Sequence, residues 1–225
     1  GVLPVGSHGV ATHRALRAET HQLSKEANRH VRTASRLIDL TVGETRIHGT
    51  IDGFTEQDLT YLRASKIKPK DRLRAWILHL VVTAQRLQDG DDHTPAWPSS
   101  TRVLSIDGAW SYSDVPDEDA AAQLELLLSL YLAGQSRPLP FFEQSSYAAG
   151  ESYIANGDDL KALQKGLGKY AVSDAQAAWK SDEGDESIAL CMRNRDPFDG
   201  GVDSEFLRLA KSVWTSPIEY LRELT

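Results

Sequence analysis

The sequence has almost no cysteine, the residue that forms disulfide bonds. It holds one cysteine, Cys191, among 225 residues, so an internal disulfide cannot form. Chains without disulfides are typical of reducing compartments, and we expect Cys191 to pack in the protein interior. Long apolar runs are also missing: no stretch approaches the roughly 20 residues of a membrane-spanning helix, and the N-terminus does not resemble a signal peptide. We therefore predict a cytoplasmic protein that makes no membrane contact.

The composition lacks the bias of a disordered chain. Hydrophobic residues make up 40% of the sequence and charged residues 25%, a balance that is typical of globular proteins. A chain of this length can bury one substantial core, so we predict a single domain over residues 1–225.

Positive charge is concentrated in the first part of the chain, although the net charge is -7. Residues 1–86 hold 14 Lys and Arg against 8 Asp and Glu, whereas residues 87–225 hold 11 against 24. Such an asymmetry is found in proteins that present one face to nucleic acid, and also in proteins whose charged faces are simply solvated. Both interpretations stay open from the charge alone.

The order of predicted elements indicates an α/β fold. Apolar residues at helical spacing from Val10 to Val31 predict a long first helix. Pro69 opens a second helix that closes at Gly90, and Asp107-Gly108 predicts a hairpin between 102–106 and 109–113. Between the two helices, three β-branched stretches predict a three-stranded meander over 37–42, 45–54 and 59–63. Helices are expected after the hairpin, from Pro116 to Gly134 and around 146–155, 158–170, 187–192 and 204–224, with a strand as the alternative at Ser187.

Two short motifs resemble those of a nuclease superfamily. A helix, a three-stranded meander and a second helix form the core order of PD-(D/E)XK nucleases, whose fold resembles that of restriction endonucleases. Gly9-Val10-Ala11-Thr12-His13 resembles the first-helix motif of the RecB-like branch, and Gly49-Thr50-Ile51-Asp52-Gly53 resembles its second-strand motif, with Asp52 in the metal position. In such enzymes two carboxylates hold Mg²⁺ beside the scissile phosphate, and a lysine activates water or stabilises the developing charge.

The rest of the nuclease pattern is missing from the third predicted strand. That strand should end in acid-x-Lys, but Leu59 to Lys66 supplies neither the acid nor a lysine at the required spacing. Arg74 stands where the second helix often carries a glutamine. A displaced site is conceivable, with Glu56 or Asp58 as the acid and Lys66 or Lys68 as the base, but both acids precede the strand.

We therefore expect no catalytic centre, no metal and no other cofactor. His13 and Asp52 are interpreted as degenerate remnants, a helix residue and a hydrogen-bonded strand carboxylate. The expected site is a cleft that holds one carboxylate, with basic side chains on its floor.

Four further segments resemble the RecC C-terminal domain family, from the gamma subunit of exodeoxyribonuclease V, over almost the whole chain. The resemblance rests on the approach to the first helix, a Trp-Leu-x-His-Leu-like helix, a Pro-Leu-Pro loop and a late helix and loop. These correspond to Leu3-Pro4-Val5-Gly6 with Gly9, Leu73 to Leu80, Arg137 to Phe142, and Ile188 to Phe198. Because such domains are parts of longer subunits, the resemblance implies that Gly1 opens a domain excised from a larger multidomain chain.

The resemblance implies a role in DNA repair and recombination. RecC subunits are built from degenerate helicase and nuclease domains, and they guide separated strands within RecBCD, an ATP-dependent exodeoxyribonuclease. The implied partners are the helicase–nuclease beta subunit (RecB), the helicase alpha subunit (RecD), and forked or duplex-end DNA. We expect a non-catalytic scaffold and DNA-guiding domain. The alternatives are an active Mg²⁺-dependent nuclease of the same fold and a purely protein-binding module.

One run of basic residues is the candidate DNA-binding site. These residues recur from the third predicted strand into the second helix, where they could track phosphates or form a solvated charged loop. They are Arg63, Lys66, Lys68, Lys70, Arg72 and Arg74.

Overall fold

The computed structural model describes residues 6–28, 34–90, 95–113, 115–155, 167–193, 195–200 and 203–224. The chain divides into two compact units, one formed by Gly1–Asp117 with Arg222–Thr225 and one formed by Glu118–Leu221. The expectation that residues 1–225 act as a single domain stays a prediction.

The first unit is built around one mixed sheet whose six strands lie in chain order from β1 to β6. Strands β1 to β3 form an antiparallel meander, and β4 and β5 form an antiparallel hairpin. Strands β3 and β4 are parallel, which requires a crossover connection, and α2 supplies it. The elements are α1 (Ser7–Asn28), β1 (Ala34–Val42), β2 (Thr45–Phe54), β3 (Asp58–Leu62), α2 (Pro69–Asp89), β4 (Ser100–Ser105), β5 (Gly108–Tyr112) and β6 (Leu221–Glu223).

The predicted α/β class is confirmed, as is the order of long helix, meander, helix, further strands and C-terminal helices. The hairpin also forms where it was predicted, but its two turn residues are Ile106 and Asp107, because Ser105 pairs with Gly108. The finer assignment to a PD-(D/E)XK core stays a prediction.

Helix α2 supplies most of the core on one face of the sheet. Its buried Trp76 and Leu80 are fully covered, as are Phe54 and Leu59 on the strands. His79 is buried beside them, where its Nδ1 lies 3.1 Å from the Thr101 hydroxyl and its ring stacks on Trp76. Burial lowers the pKa of His79 to about 4, with a smaller contribution from the charge of Arg86.

The second unit is helical, and α4 is its centre. It consists of α3 (Asp117–Ser136), α4 (Glu143–Ala155), α5 (Leu167–Asp182), α6 (Glu186–Met192) and α7 (Glu205–Glu219). Helix α4 packs against both α5 and α7. Gly150 permits the close approach to α7, because a Cβ there would lie 2.5 Å from the Cβ of Trp214. The buried Asp182 accepts the amide hydrogens of Gln144 (3.0 Å) and Ser145 (2.7 Å), which satisfies the first turn of α4.

Several predictions for the second half of the chain need correction. The helix predicted around 187–192 is confirmed as α6, so the alternative of a strand at Ser187 is wrong. The predicted last helix over 204–224 is too long: α7 ends at Glu219, and β6 follows because it continues the sheet, where the Leu224 amide donates to the Ala109 carbonyl at 2.8 Å. Gly134 does not end α3, which continues to Ser136. The start of the helix predicted over 158–170 lies outside the described residues.

The lone cysteine and the membrane prediction can also be compared with the structure. Cys191 is exposed, contrary to expectation, because α6 buries none of its side chains. Among the residues that the structure describes, no helix is both long enough and apolar enough to span a bilayer.

Candidate nucleic-acid interface

The basic segment, residues 63–74, connects the end of β3 to the first turns of α2. The Arg63 amide donates to the Leu104 carbonyl at 2.8 Å, so the pairing of β3 with β4 continues one residue beyond the strand. Pro69 then begins α2, where its fixed φ suits the first helical position and its missing N–H is not needed. The connecting loop is therefore short and attached to regular structure at both ends.

Asp107, at the tip of the β4–β5 hairpin, holds the middle of the basic segment. Its carboxylate accepts the Ile67 amide at 3.0 Å and the Ser105 hydroxyl. Burial acts to raise the pKa of Asp107, but these hydrogen bonds and the charge of Lys66 outweigh it and hold the pKa below its ordinary value. The loop is thus tied to the hairpin by a carboxylate that favours its charged form.

Asp71, buried in the first turn of α2, holds the basic segment where it enters the helix. Its carboxylate accepts the Lys68 amide and the Tyr61 hydroxyl, each at 3.1 Å, and lies 3.4 Å from the Arg63 Nε. Burial, together with the bond to Asp71, raises the pKa of Tyr61. A negative charge is favourable at this helix terminus, so Asp71 both caps α2 and fixes Arg63. Sequence reasoning placed Asp71 at the start of the helix but missed this role; the signal was an acid two residues after Pro69.

The basic residues divide into two groups in the structure. Arg63 and Arg72 are half-buried: Arg63 faces Asp71, and the Arg72 guanidinium lies over the ring of Trp110, 5.5 Å from its centroid. The other four are exposed, namely Lys66, Lys68, Lys70 and Arg74. Two cations of the predicted site thus contribute to the fold, and four face solvent on an anchored loop and helix start.

Asp52 lies on the face of the sheet opposite α2. It pairs with Ser35 on β1 and accepts that hydroxyl at 2.5 Å, which agrees with the hydrogen-bonded carboxylate expected from the sequence. The buried side chains Ile38 and Leu40 belong to the alternate register positions, on the side that α2 covers. The structure therefore does not bring Asp52 together with Arg63 and Arg72, whose partners lie on the α2 side.

A bulge at Gly53 fixes this orientation. Ala34 pairs with Phe54 but Ser35 pairs with Asp52, so Gly53 is the extra residue on β2. Its φ of 101° lies in the region that favours glycine, and a Cβ would lie 2.5 Å from the Thr60 carbonyl oxygen. Gly53, the last residue of the strand motif, is thus required by the conformation of the backbone.

The other nuclease-like residues are also separate. His13 is an exposed side chain on α1. Asp58 is the first residue of β3, not part of the preceding turn; it accepts the Ser100 hydroxyl and lies 3.8 Å from Arg102. Within the described ranges, no three His, Cys, Asp or Glu side chains are close enough together to hold a metal ion.

Comparison with known protein families gives a match. Residues 1–153, more than half of the chain, match the family model described as the RecC C-terminal domain. None of the curated proteins matches the chain.

Proposed function

The chain belongs to the RecC C-terminal domain family, and from that premise we propose that it is a non-catalytic scaffold and DNA-guiding domain. Membership of this family implies a role in the RecBCD complex. The proposed partners there are the RecB and RecD subunits and forked or duplex-end DNA, during double-strand break repair and recombination.

The observation that carries the DNA-guiding role is the exposure of four cations on an anchored segment. Lys66 and Lys68 lie on a loop that Asp107 and Asp71 hold through backbone amides at 3.0 and 3.1 Å. Lys70 and Arg74 follow four residues apart on α2, so they share one face of the helix. Cations that are held in place before binding lose less conformational freedom on contact with a phosphate backbone.

Support for a non-catalytic role comes from the end of β3. In a nuclease of the proposed superfamily this strand would end in an acid, but Tyr61 and Leu62 occupy its end, and Leu62 is half exposed. The nearby Asp71 is buried and already has hydrogen-bond partners. Among the described residues, Asp52 does not belong to any group of three or more His, Cys, Asp or Glu side chains that could hold a metal ion.

Binding of forked DNA tests the DNA-guiding role. Each phosphate contact adds about 0.9 to the slope of log affinity against log salt concentration. Replacing Lys66, Lys68 and Lys70 by Ala should weaken binding and lower the slope by about 2 to 3. A matched control removes three exposed cations of the second unit, Lys180, Arg193 and Arg208. An unchanged slope in the first variant would refute the proposed role of the segment.

Two assays address the alternatives. Incubation with single- and double-stranded DNA and Mg²⁺ or Mn²⁺ should give no cleavage; metal-dependent products that Asp52→Ala abolishes would establish a nuclease instead. Crosslinking of the assembled complex to forked DNA should give adducts on residues 63–74. Adducts confined to other subunits would favour a protein-binding module.

A further inference from the structure

Helix α1 carries a second group of cations that the proposed function does not use. The helix packs against β4, and Gly9 in its first turn is buried. Beyond Thr12, every α1 side chain whose exposure the structure describes faces solvent, from His13 to Lys25. Among its described residues α1 buries only Gly9, so the rest of the described side chains face solvent or a partner.

The basic residues of α1 form one stripe. Arg14, Arg17, His21 and Lys25 follow at spacings of three, four and four residues, which places them on one face of a helix with 3.6 residues per turn. At 1.5 Å per residue the stripe is about 16 Å long. By the same helical geometry, positions 19 and 26, which hold the two acids of α1, lie on the other side of the axis.

We propose that this stripe, Arg14, Arg17, His21 and Lys25, binds the phosphate backbone of duplex DNA. The inference rests on the proposed DNA-guiding function and adds a second contact surface to it. A stripe of about 16 Å spans roughly five nucleotide steps of one DNA strand at 3.4 Å per step. The planar guanidinium groups of Arg14 and Arg17 suit bidentate contacts with phosphate oxygens.

The composition of α1 favours a duplex over other anionic partners. Binding of single strands relies on aromatic side chains on which bases stack, and α1 contains no Phe, Tyr or Trp. A protein interface relies on buried aromatic or large apolar anchors, but between Arg14 and Lys25 the stripe itself holds basic residues and the small Ala18. What remains is a row of basic side chains at regular helical spacing, which fits the regular phosphate spacing of a duplex without reading its bases.

Binding by the chain to a blunt duplex and to a single strand of equal length tests this assignment. The variant Arg14→Gln/Arg17→Gln/Lys25→Gln should bind duplex about tenfold more weakly near 0.1 M salt, with a salt slope lower by about 2 to 3. Binding of the single strand should change less. The control Lys180→Gln/Arg193→Gln/Arg208→Gln should stay within about twofold of the original chain. Circular dichroism should show the same helix content in both variants, because the replaced side chains are exposed.

A charge-retaining variant separates electrostatics from loss of structure. Arg14→Lys/Arg17→Lys keeps both charges and should bind duplex within about threefold of the original chain; a loss equal to that of the Gln variant would overturn the proposal. So would a Gln variant that binds like its control. If the Gln variant of α1 binds duplex DNA as tightly as the original chain while the variant of Lys66, Lys68 and Lys70 loses affinity, this inference fails and the proposed function stands. The reverse result would keep α1 and refute the role of the basic segment.

Discussion

Helices α1 and α2 belong to the same unit and are nearly equal in length, 22 and 21 residues, but they relate to the sheet in opposite ways. Nine side chains of α2 are buried, and they include the polar His79 and Gln85. In α1, Gly9 is the one buried residue among those whose exposure the structure describes. Both helices carry several cations, so charge alone does not separate a core helix from a surface helix.

The difference lies in what each helix holds in place. At its start, α2 positions the basic segment through Asp71. Near the end of α2, the side chain of Gln85 accepts a hydrogen bond from the Asp39 amide at 2.9 Å, and that of Gln88 accepts one from the Thr41 amide at 3.1 Å. Two backbone amides of the edge strand β1 thus have hydrogen-bond acceptors on α2. Edge strands invite pairing with other chains unless they are covered, so α2 protects the sheet as well as filling its core. In α1, by contrast, the described side chains beyond Thr12 are exposed.

The largest expected contrast comes from one substitution made in both helices. Leu80→Ala in α2 should lower the free energy of unfolding by about 2 to 5 kcal/mol, because Leu80 is fully buried and a cavity would remain. Leu16→Ala in α1 should cost no more than about 0.5 kcal/mol, because Leu16 is 48% exposed. Urea unfolding measures both. Equal losses would mean that α1 packs into the core and would remove the basis of the comparison.

A pH titration should report on the burial of His79 in α2. His79 is neutral when folded, with its pKa lowered to about 4 from an ordinary value of 6.5. Between pH 6.5 and 4 the unfolded chain therefore binds a proton at His79 that the folded chain does not bind. The contribution of His79 to the free energy of unfolding is fully present above about pH 6.5 and is lost as the pH falls towards about 4. The difference of 2.5 pKa units corresponds to roughly 3 kcal/mol.

The measurement is the pH dependence of unfolding free energy between pH 7 and 4. His79→Gln should flatten this dependence, at some cost in stability at pH 7 from lost packing. A slope that His79→Gln does not change would show that His79 is not the group that titrates.

The sequence predicts α2 and the meander because local signals and burial agree there. Pro69 and Asp71 mark the helix start, Gly90 adopts a positive φ after its end, and the buried stripe recurs at helical spacing. The last helix was predicted too long for a non-local reason. Residues after Glu219 have a partner in β5: Leu224 bonds to Ala109, 115 residues earlier in the chain, and no local pattern in the sequence predicts that pairing.

The sequence predicts which basic residues belong to the candidate site, but not how their side chains are arranged. The six basic residues are visible in the sequence, whereas the division between half-buried Arg63 and Arg72 and the exposed lysines depends on Asp71 and Trp110. The orientation of Asp52 depends on a bulge at Gly53, and alternation along a strand cannot reveal which residue is the extra one. The stripe on α1 was visible as spacing, but its importance depends on how little of α1 is buried.

A smaller contrast concerns the first turns of the two helices. Asp71→Ala removes a buried carboxylate, which leaves the Tyr61 hydroxyl without its acceptor and Arg63 without its ion-pair partner, so we expect a loss of about 2 kcal/mol. Thr12→Ala in α1 removes a bond to the His8 carbonyl on an exposed helix and should change stability by less than about 0.5 kcal/mol. Thermal unfolding of both variants measures the difference. A loss below about 0.5 kcal/mol for Asp71→Ala would show that this carboxylate does not anchor the basic segment.

The smallest effect should appear at the end of α2, where Gln88 bonds to the edge strand. Gln88→Ala removes one bond from the Thr41 amide and one to the Asp39 carbonyl, at 3.1 and 3.0 Å, from an exposed site. Because water can replace both bonds, the expected loss is about 0.5 to 1 kcal/mol. Hydrogen exchange should still accelerate at the Thr41 amide, while the Asp39 amide keeps its bond to Gln85. Gln135→Ala, on the exposed end of α3, serves as the matched control and should change neither amide. Unchanged exchange at Thr41 in Gln88→Ala would show that α2 does not protect this part of the edge, and the difference between the two helices would then be limited to the core.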